Sequence, residues 1–144
     1  MLYWKCTTMV AGVLMLIVGG LLYVLYRPQT LLLFHVADAM GMTGKIGQWR
    51  ESASVLQPAG FIIYNLPAGL WAASYVLITA TLSQPLSRPS RYMAVAFIPL
   101  IGAVSELMQA VGLLPGTFDP VDIALYLLPL AVYAIYETIY NNIL

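Results

Sequence analysis

The sequence predicts an all-α polytopic membrane protein, a four-transmembrane-helix bundle with a re-entrant or interfacial segment between helices 1 and 2. Two observations predict this class. Of the 144 residues, 61% are hydrophobic and 8% are charged, whereas a soluble domain has about 25% charged residues. The apolar residues also form segments that match the roughly 20 residues a helix needs to cross a bilayer. At this length we expect one integral membrane domain, residues 1–144.

The first predicted span covers about 7–26. No charged residue occurs between Lys5 and Arg27, a run longer than the roughly 7–15-residue core of a signal peptide, and no small-x-small cleavage site follows. We therefore expect a retained anchor helix, in which Gly19 and Gly20 allow close helix packing. Cys6 is expected to be an apolar residue near the helix start, with palmitoylation as the alternative.

The region between the first two spans has a different character. Residues 31–43 are apolar, but a run of 13 residues is too short to span, which favours a re-entrant or interfacial segment. Residues 44–55 are the most polar stretch of the chain. Within it, Trp49 is typical of an interface anchor, and we expect Arg50 and Glu51 to form a solvated pair.

Three further spans complete the predicted bundle, at about 60–82, 92–113 and 121–140. The first of these lies within residues 52–87, which contain no charged residue. The loop between the second and third predicted spans, 83–91, carries two arginines and no acid. An excess of Lys and Arg in a loop favours a cytoplasmic location. Both termini would then be cytoplasmic. The Lys/Arg count is three on each face: Lys5, Arg88 and Arg91 against Arg27, Lys45 and Arg50.

Glu106 and Gln109 stand out within the third predicted span. An ionised acid at a helix centre opposes insertion by roughly 2.5–3.5 kcal/mol, whereas a Leu or Ile favours it by only about 0.3–0.6 kcal/mol. Gln109 and Gly102 share the helix face of Glu106. This face is either an interhelical hydrogen-bond clamp or a ligand or proton site facing a cavity. The residues leave both interpretations open.

Asp119 and Asp122 open the fourth predicted span. Asp119 fits an N-cap, Pro120 the first helical position and Asp122 the third, where an acid also suits the helix dipole. The third span ends near Pro115, so Glu106 lies within about two turns of the same membrane face. We therefore expect three carboxylates to converge on a polar pocket at the mouth of the last helical hairpin, although capping alone is the alternative for the aspartates.

Asn65 precedes Pro67 in the second predicted span. A proline in a helix leaves a backbone carbonyl without its amide partner. Asn65 would then either satisfy that carbonyl or join the polar pocket, and the sequence does not decide between these two roles.

The pattern Glu106-x2-Gln109 followed by Asp119-x2-Asp122 resembles the VanZ-like family of small bacterial membrane proteins, over residues 102–137. The family has an arginine in the turn before the first aspartate, where this chain has 115–118, Pro-Gly-Thr-Phe. It has an asparagine four residues after the second aspartate, where this chain has Tyr126. The resemblance implies a cell-envelope protein of the bacterial cytoplasmic (inner) membrane, and the family's namesake is linked to resistance against lipoglycopeptide antibiotics.

The function expected from these features is binding of a lipid-linked or lipophilic ligand at a carboxylate-lined pocket. The alternative is a small oligomeric membrane component, either a pore or the membrane subunit of a larger system. An enzyme holding Mg²⁺ at the carboxylates is less favoured, and we expect no catalytic residues, metal or cofactor. The expected partners are the lipid bilayer, a lipid ligand and further copies of the chain, but no nucleic acid. The expected ligand-binding residues are Asn65, Glu106, Gln109, Asp119, Asp122 and Tyr126.

Overall fold

The computed structural model describes residues 2–29 and 32–143, which form seven α-helices and a short 3₁₀ turn, with no β-strand among them. The all-α prediction is therefore confirmed. The helices are α1 (Leu2–Tyr26), α2 (Leu32–Ala39), α3 (Thr43–Ala53), α4 (Gly60–Tyr64), α5 (Leu66–Leu82), α6 (Arg88–Ala110) and α7 (Pro120–Ile143), and the 3₁₀ turn is Ser54–Leu56.

Three helices in the described part of the chain are long and apolar enough to cross a membrane: Lys5–Tyr26, Arg88–Ala110 and Pro120–Ile139. They correspond to the first, third and fourth predicted spans. Most of their side chains are not covered by other parts of the protein, as expected for helices whose apolar surface faces lipid rather than water. The chain is an integral membrane protein on this evidence.

The predicted span 60–82 is divided into α4 and α5 at Asn65, and α5 alone has 17 residues. Pro67 explains the division because it has no amide hydrogen for the carbonyl four residues earlier. The backbone stays close to helical at the break: Asn65 has φ −105° and ψ −44°, and its carbonyl still accepts a bond from Gly69 N. The two helices therefore form one kinked helix.

Helix α5 lies at the centre of the bundle and contacts α1, α6 and α7. It runs antiparallel to α1, since Gly12 lies against Ile78 and Gly19 against Trp71. A Cβ atom on Gly19 would lie 2.8 Å from the Trp71 indole, so only glycine allows this contact.

Helix α7 runs parallel to α5 and antiparallel to α6. Asn65 meets Asp122 at one end of the α5–α7 pair, and Val76 packs with Tyr133 further along it. Val95 of α6 completes this small buried core, in which none of the three residues is more than 8% exposed. At the far end, Arg91 and Glu137 form an ion pair at 3.2 Å.

Residues 32–53 form a pair of short helices beside the end of α1. Of the predicted segment 31–43, Leu31 lies outside the described residues, and the remainder is α2 with the turn that follows it. Gly41 ends α2 at φ +69°, where Met42 N donates to the Ala37 carbonyl and Gly41 N to the Asp38 carbonyl. This is a Schellman cap.

Arg50 fixes α3 to α1. Its Nη1 donates to the carbonyls of Val24 at 2.6 Å and Arg27 at 2.9 Å. These carbonyls lie in the last turn of α1 and directly after it, where they have no intrahelical amide partner. The expectation of a solvated Arg50–Glu51 pair was therefore wrong for Arg50. The carbonyls at a helix end attract a cation more strongly than an exposed neighbouring acid does.

Candidate functional site

Five polar side chains meet at one end of the bundle, and we call them the polar cluster: Asn65, Glu106, Gln109, Asp119 and Asp122. The topology explains the meeting. The kink before α5, the last turns of α6 and the first turn of α7 all lie at the same end, because α5 and α7 run parallel and α6 runs against them. Asn65 and Glu106 are only 8% and 6% exposed.

Asn65 connects α5 to the start of α7. Its Nδ2 donates to Asp119 Oδ2 at 2.6 Å and to Asp122 Oδ1 at 2.9 Å. One amide nitrogen thus uses both of its hydrogens on two carboxylates. The sequence left two roles open for Asn65, and in the structure its side chain joins the polar cluster.

Glu106 and Asp119 join the ends of α6 and α7. Glu106 Oε2 accepts a bond from the Asp119 backbone N–H at 3.2 Å, and Glu106 Oε1 accepts one from Gln109 Nε2 at 3.3 Å. Asp119 Oδ1 in turn accepts from Val121 N at 2.9 Å, which is an N-cap bond. Asp119 therefore caps α7 and also belongs to the polar cluster, so the two interpretations of this residue are compatible.

The turn between α6 and α7 depends on two glycines. Gly112 has φ +74° and ends α6 in a Schellman cap, where Leu113 N donates to the Met108 carbonyl at 2.8 Å. Gly116, at φ +143°, lies against the Gln109 carboxamide so closely that a Cβ atom would collide with it. These positions let the chain reverse within a few residues and bring Asp119 to Glu106.

Tyr126 lies one turn along α7 from the polar cluster. Its ring packs on Gly102, where a Cβ atom would lie 2.8 Å from the ring carbons. Tyr126 is within electrostatic range of Asp122 and Glu106, but its hydroxyl makes no hydrogen bond to the cluster among the described residues. The ring therefore packs between α7 and α6, one turn from the cluster.

Arg27 is a neighbour of the cluster that the sequence did not predict. Its guanidinium lies 5.4 Å from the centre of the Tyr64 ring and 5.6 Å from that of Tyr23, and within electrostatic range of Asp122. Its Nη2 also donates to the Tyr64 carbonyl at 3.4 Å, a backbone group in the kink beside Pro67. The signal in the sequence was a cation directly after an uncharged helix, at the depth of the other polar groups.

Two of the cavities in the described part of the chain lie outside the polar cluster. The larger is an open apolar groove of about 530 Å³ between α1, α2, α3 and α5. The smaller, of about 180 Å³, lies within residues 29–46 beside Asp38, whose Oδ1 accepts from Thr43 Oγ1 at 2.8 Å. Within 2–29 and 32–143, no three His, Cys, Asp or Glu side chains are placed to hold a metal ion.

The polar cluster retains unused hydrogen-bond acceptors. Each carboxylate has about four lone-pair sites, yet Asp122 accepts only the bond from Asn65 to Oδ1, and Oδ2 has no partner among the described residues. No Lys or Arg forms an ion pair with the cluster in the part of the chain that the structure describes. The arrangement can therefore accept hydrogen bonds from an amine, amide or hydroxyl group.

Comparisons of the chain with family models, with curated proteins and with solved structures find no match. Function must therefore be inferred from the polar cluster and from its position in the bundle.

Proposed function

We propose that this chain is a VanZ-like membrane protein of the bacterial cell envelope that binds a lipid-linked or lipophilic ligand. The polar cluster holds the ligand's head group, and the apolar part of the ligand lies in the bilayer beside the bundle. The observation that carries the proposal is the meeting of Glu106, Asp119 and Asp122 with Asn65, from three separate helices: Asn65 donates to both aspartates, and Glu106 accepts from the Asp119 backbone N–H.

Joining the helices by hydrogen bonds does not by itself require three carboxylates. Burying Glu106 at 6% exposure opposes membrane insertion, and neutral Gln or Asn side chains would join the helices without burying an ionisable group. Asp122 also has an oxygen with no hydrogen-bond partner among the described residues. Acidic residues held within a membrane bundle commonly mark binding or transport sites.

The proposal includes four membrane crossings, with α4 and α5 crossing as one kinked helix. Residues 60–82 span about 34 Å at ~1.5 Å per residue, which is enough for a hydrocarbon core about 30 Å thick. The polar cluster then lies near one membrane surface, and α2 lies in or dips into the bilayer beside it. Helix breaks at such depth are tolerated where they face a polar site.

The orientation we propose has both termini in the cytoplasm and the polar cluster at the outer surface of the inner membrane. The loop with Arg88 and Arg91 favours this orientation. Five of the six acidic residues lie at the end that carries the cluster, and only Glu137 lies at the other. A ligand approaching from the cell exterior would meet the cluster first.

The packing favours binding over a pore on a symmetry axis. In such a pore, either Gly19 and Gly20 or Glu106 would lie on the axis. Glu106 is buried within one protomer, and Gly19 is covered by Trp71. Only Gly20 lacks a close neighbour, and it lines the apolar groove.

Native mass spectrometry of the protein purified in mild detergent tests this function. The wild-type chain should retain a lipid or lipophilic molecule that the double variant Glu106→Gln, Asp122→Asn loses. Asp122→Asn keeps the oxygen that accepts from Asn65. Glu106→Gln keeps one oxygen for the Asp119 N–H and loses only the acceptor for the 3.3 Å bond from Gln109, so the fold should survive. Glu51→Gln is the matched control, because it removes an exposed acid at the same end. Equal retention by the wild type and the double variant would contradict the proposal.

A further inference from the structure

The apolar groove of about 530 Å³ has the size of a small-molecule site. Residues from four helices line it, among them Leu16, Gly20 and Val24 of α1, Leu33 of α2, Trp49 of α3 and Trp71 of α5. It lies on the α1 side of α5, whereas the polar cluster lies where α5 meets α6 and α7. The two are therefore separate features.

Arg50 lies at one end of this groove. Its Nη1 binds the carbonyl of Val24, a groove residue, at 2.6 Å, and its guanidinium lies 5.5 Å from the Phe34 ring centre. Its neighbour in the chain, Trp49, lines the groove. The protein uses one nitrogen of this guanidinium, and Nε and Nη2 have no hydrogen-bond partner among the described residues.

No ion pair neutralises the positive charge at this end of the groove. Neither Arg50, Arg27 nor Lys45 has a carboxylate within ion-pair distance in the described ranges, although Glu51 follows Arg50 directly. A guanidinium with two free donors matches the oxygen pair of a phosphate. An apolar groove with one cationic end is complementary to an acyl chain that carries an anionic head group.

We propose that this groove binds one acyl chain of an anionic phospholipid, with the lipid phosphate on Arg50. The occupant comes from the surrounding bilayer. Trp49 contacts its chain at the membrane interface, where tryptophan is favoured, and Trp71 contacts it deeper in the bilayer. The site is independent of the polar cluster, so a failure of either proposal leaves the other standing.

Tryptophan quenching in lipid nanodiscs tests the site. A Trp4→Phe background leaves Trp49 and Trp71, both of which line the groove. Phosphatidylglycerol with brominated acyl chains is added to phosphatidylcholine nanodiscs, and brominated phosphatidylcholine is the paired lipid. The groove predicts that phosphatidylglycerol reaches half-maximal quenching at an about fivefold lower mole fraction, the factor expected from one arginine at the membrane surface. Equal quenching by the two lipids would overturn the proposal.

The variant Gly20→Leu distinguishes lipid binding in the groove from nonspecific attraction of acidic lipids to the protein. Gly20 lines the groove and no atom lies within 4 Å of the position of its Cβ, so a leucine side chain there should occupy part of the groove. It should abolish the preference for phosphatidylglycerol. Val18→Leu, a matched change on an exposed part of the same helix, should retain it. Persistence of the preference in Gly20→Leu would show that the lipid binds elsewhere.

Discussion

Asn65 Nδ2 lies 2.6 Å from Asp119 Oδ2 and 2.9 Å from Asp122 Oδ1, so one amide joins the kink of the central helix to the cap and the first turn of α7. The link connects residues 54 and 57 positions apart. Since hydrogen bonds to charged groups contribute about 1.5–3 kcal/mol, this single residue should have a measurable effect on stability.

Replacing Asn65 with leucine should lower the free energy of unfolding by about 2 kcal/mol, because both carboxylates lose a donor. Thermal unfolding in detergent measures the change. Gln84→Leu is the control: it removes a half-buried amide just beyond the other end of α5 and should alter stability by less than about 0.5 kcal/mol. An Asn65→Leu protein as stable as the control would show that the two bonds do not hold α7.

Gly102→Ala should destabilise the bundle by about 1–3 kcal/mol. The new methyl group would lie 2.8 Å from the Tyr126 ring, so α6 and α7 would have to separate. Gly20→Ala is the matched control within a membrane helix, since no atom is close to it, and it should be neutral or stabilise by about 0.4–1 kcal/mol. Shortening the opposing side chain, in Gly102→Ala with Tyr126→Leu, should restore stability. If Gly102→Ala alone were harmless, Tyr126 would not pack here as described.

The sequence predicted the convergence of Glu106, Asp119 and Asp122 because a short hairpin keeps them close along the chain. It could not decide the role of Asn65, since the rotation of α5 is set by its contacts with three other helices. It also missed Arg27 and Arg50. Arg27 acts through its packing at the kink beside Pro67, and Arg50 through its packing at the end of α1. The local sequence pattern around each arginine carries no information on these tertiary contacts.

The kinked helix α4–α5 should cross the membrane as one span. In a Cys6→Ala background, Gly60→Cys and Leu86→Cys place single thiols at exposed positions near its two ends. A membrane-impermeant maleimide should label Gly60→Cys in intact spheroplasts and Leu86→Cys only after lysis.

Gly44→Cys extends this test to the segment 31–43. If that segment lies in or dips into one membrane surface, Gln29→Cys and Gly44→Cys, two exposed positions that flank it, should be labelled from the same side. Labelling of Gly60→Cys and Leu86→Cys from one side would rule out the fourth crossing, and labelling of Gly44→Cys from the opposite side to Gln29→Cys would indicate an additional one.

The central claim is that the charge of the polar cluster binds a ligand in addition to holding helices together. Asp122→Asn isolates that charge: the asparagine oxygen can still accept from Asn65, and the lost helix-dipole interaction amounts to only about 0.3–1 kcal/mol. Thermal unfolding in detergent, with and without a total polar lipid extract of the expression host, therefore separates the two roles. A bound ligand stabilises the folded state in proportion to the logarithm of its concentration over Kd. The account predicts that the extract stabilises the wild type and the Glu51→Gln control equally, and Asp122→Asn much less. Equal stabilisation of all three proteins would contradict it.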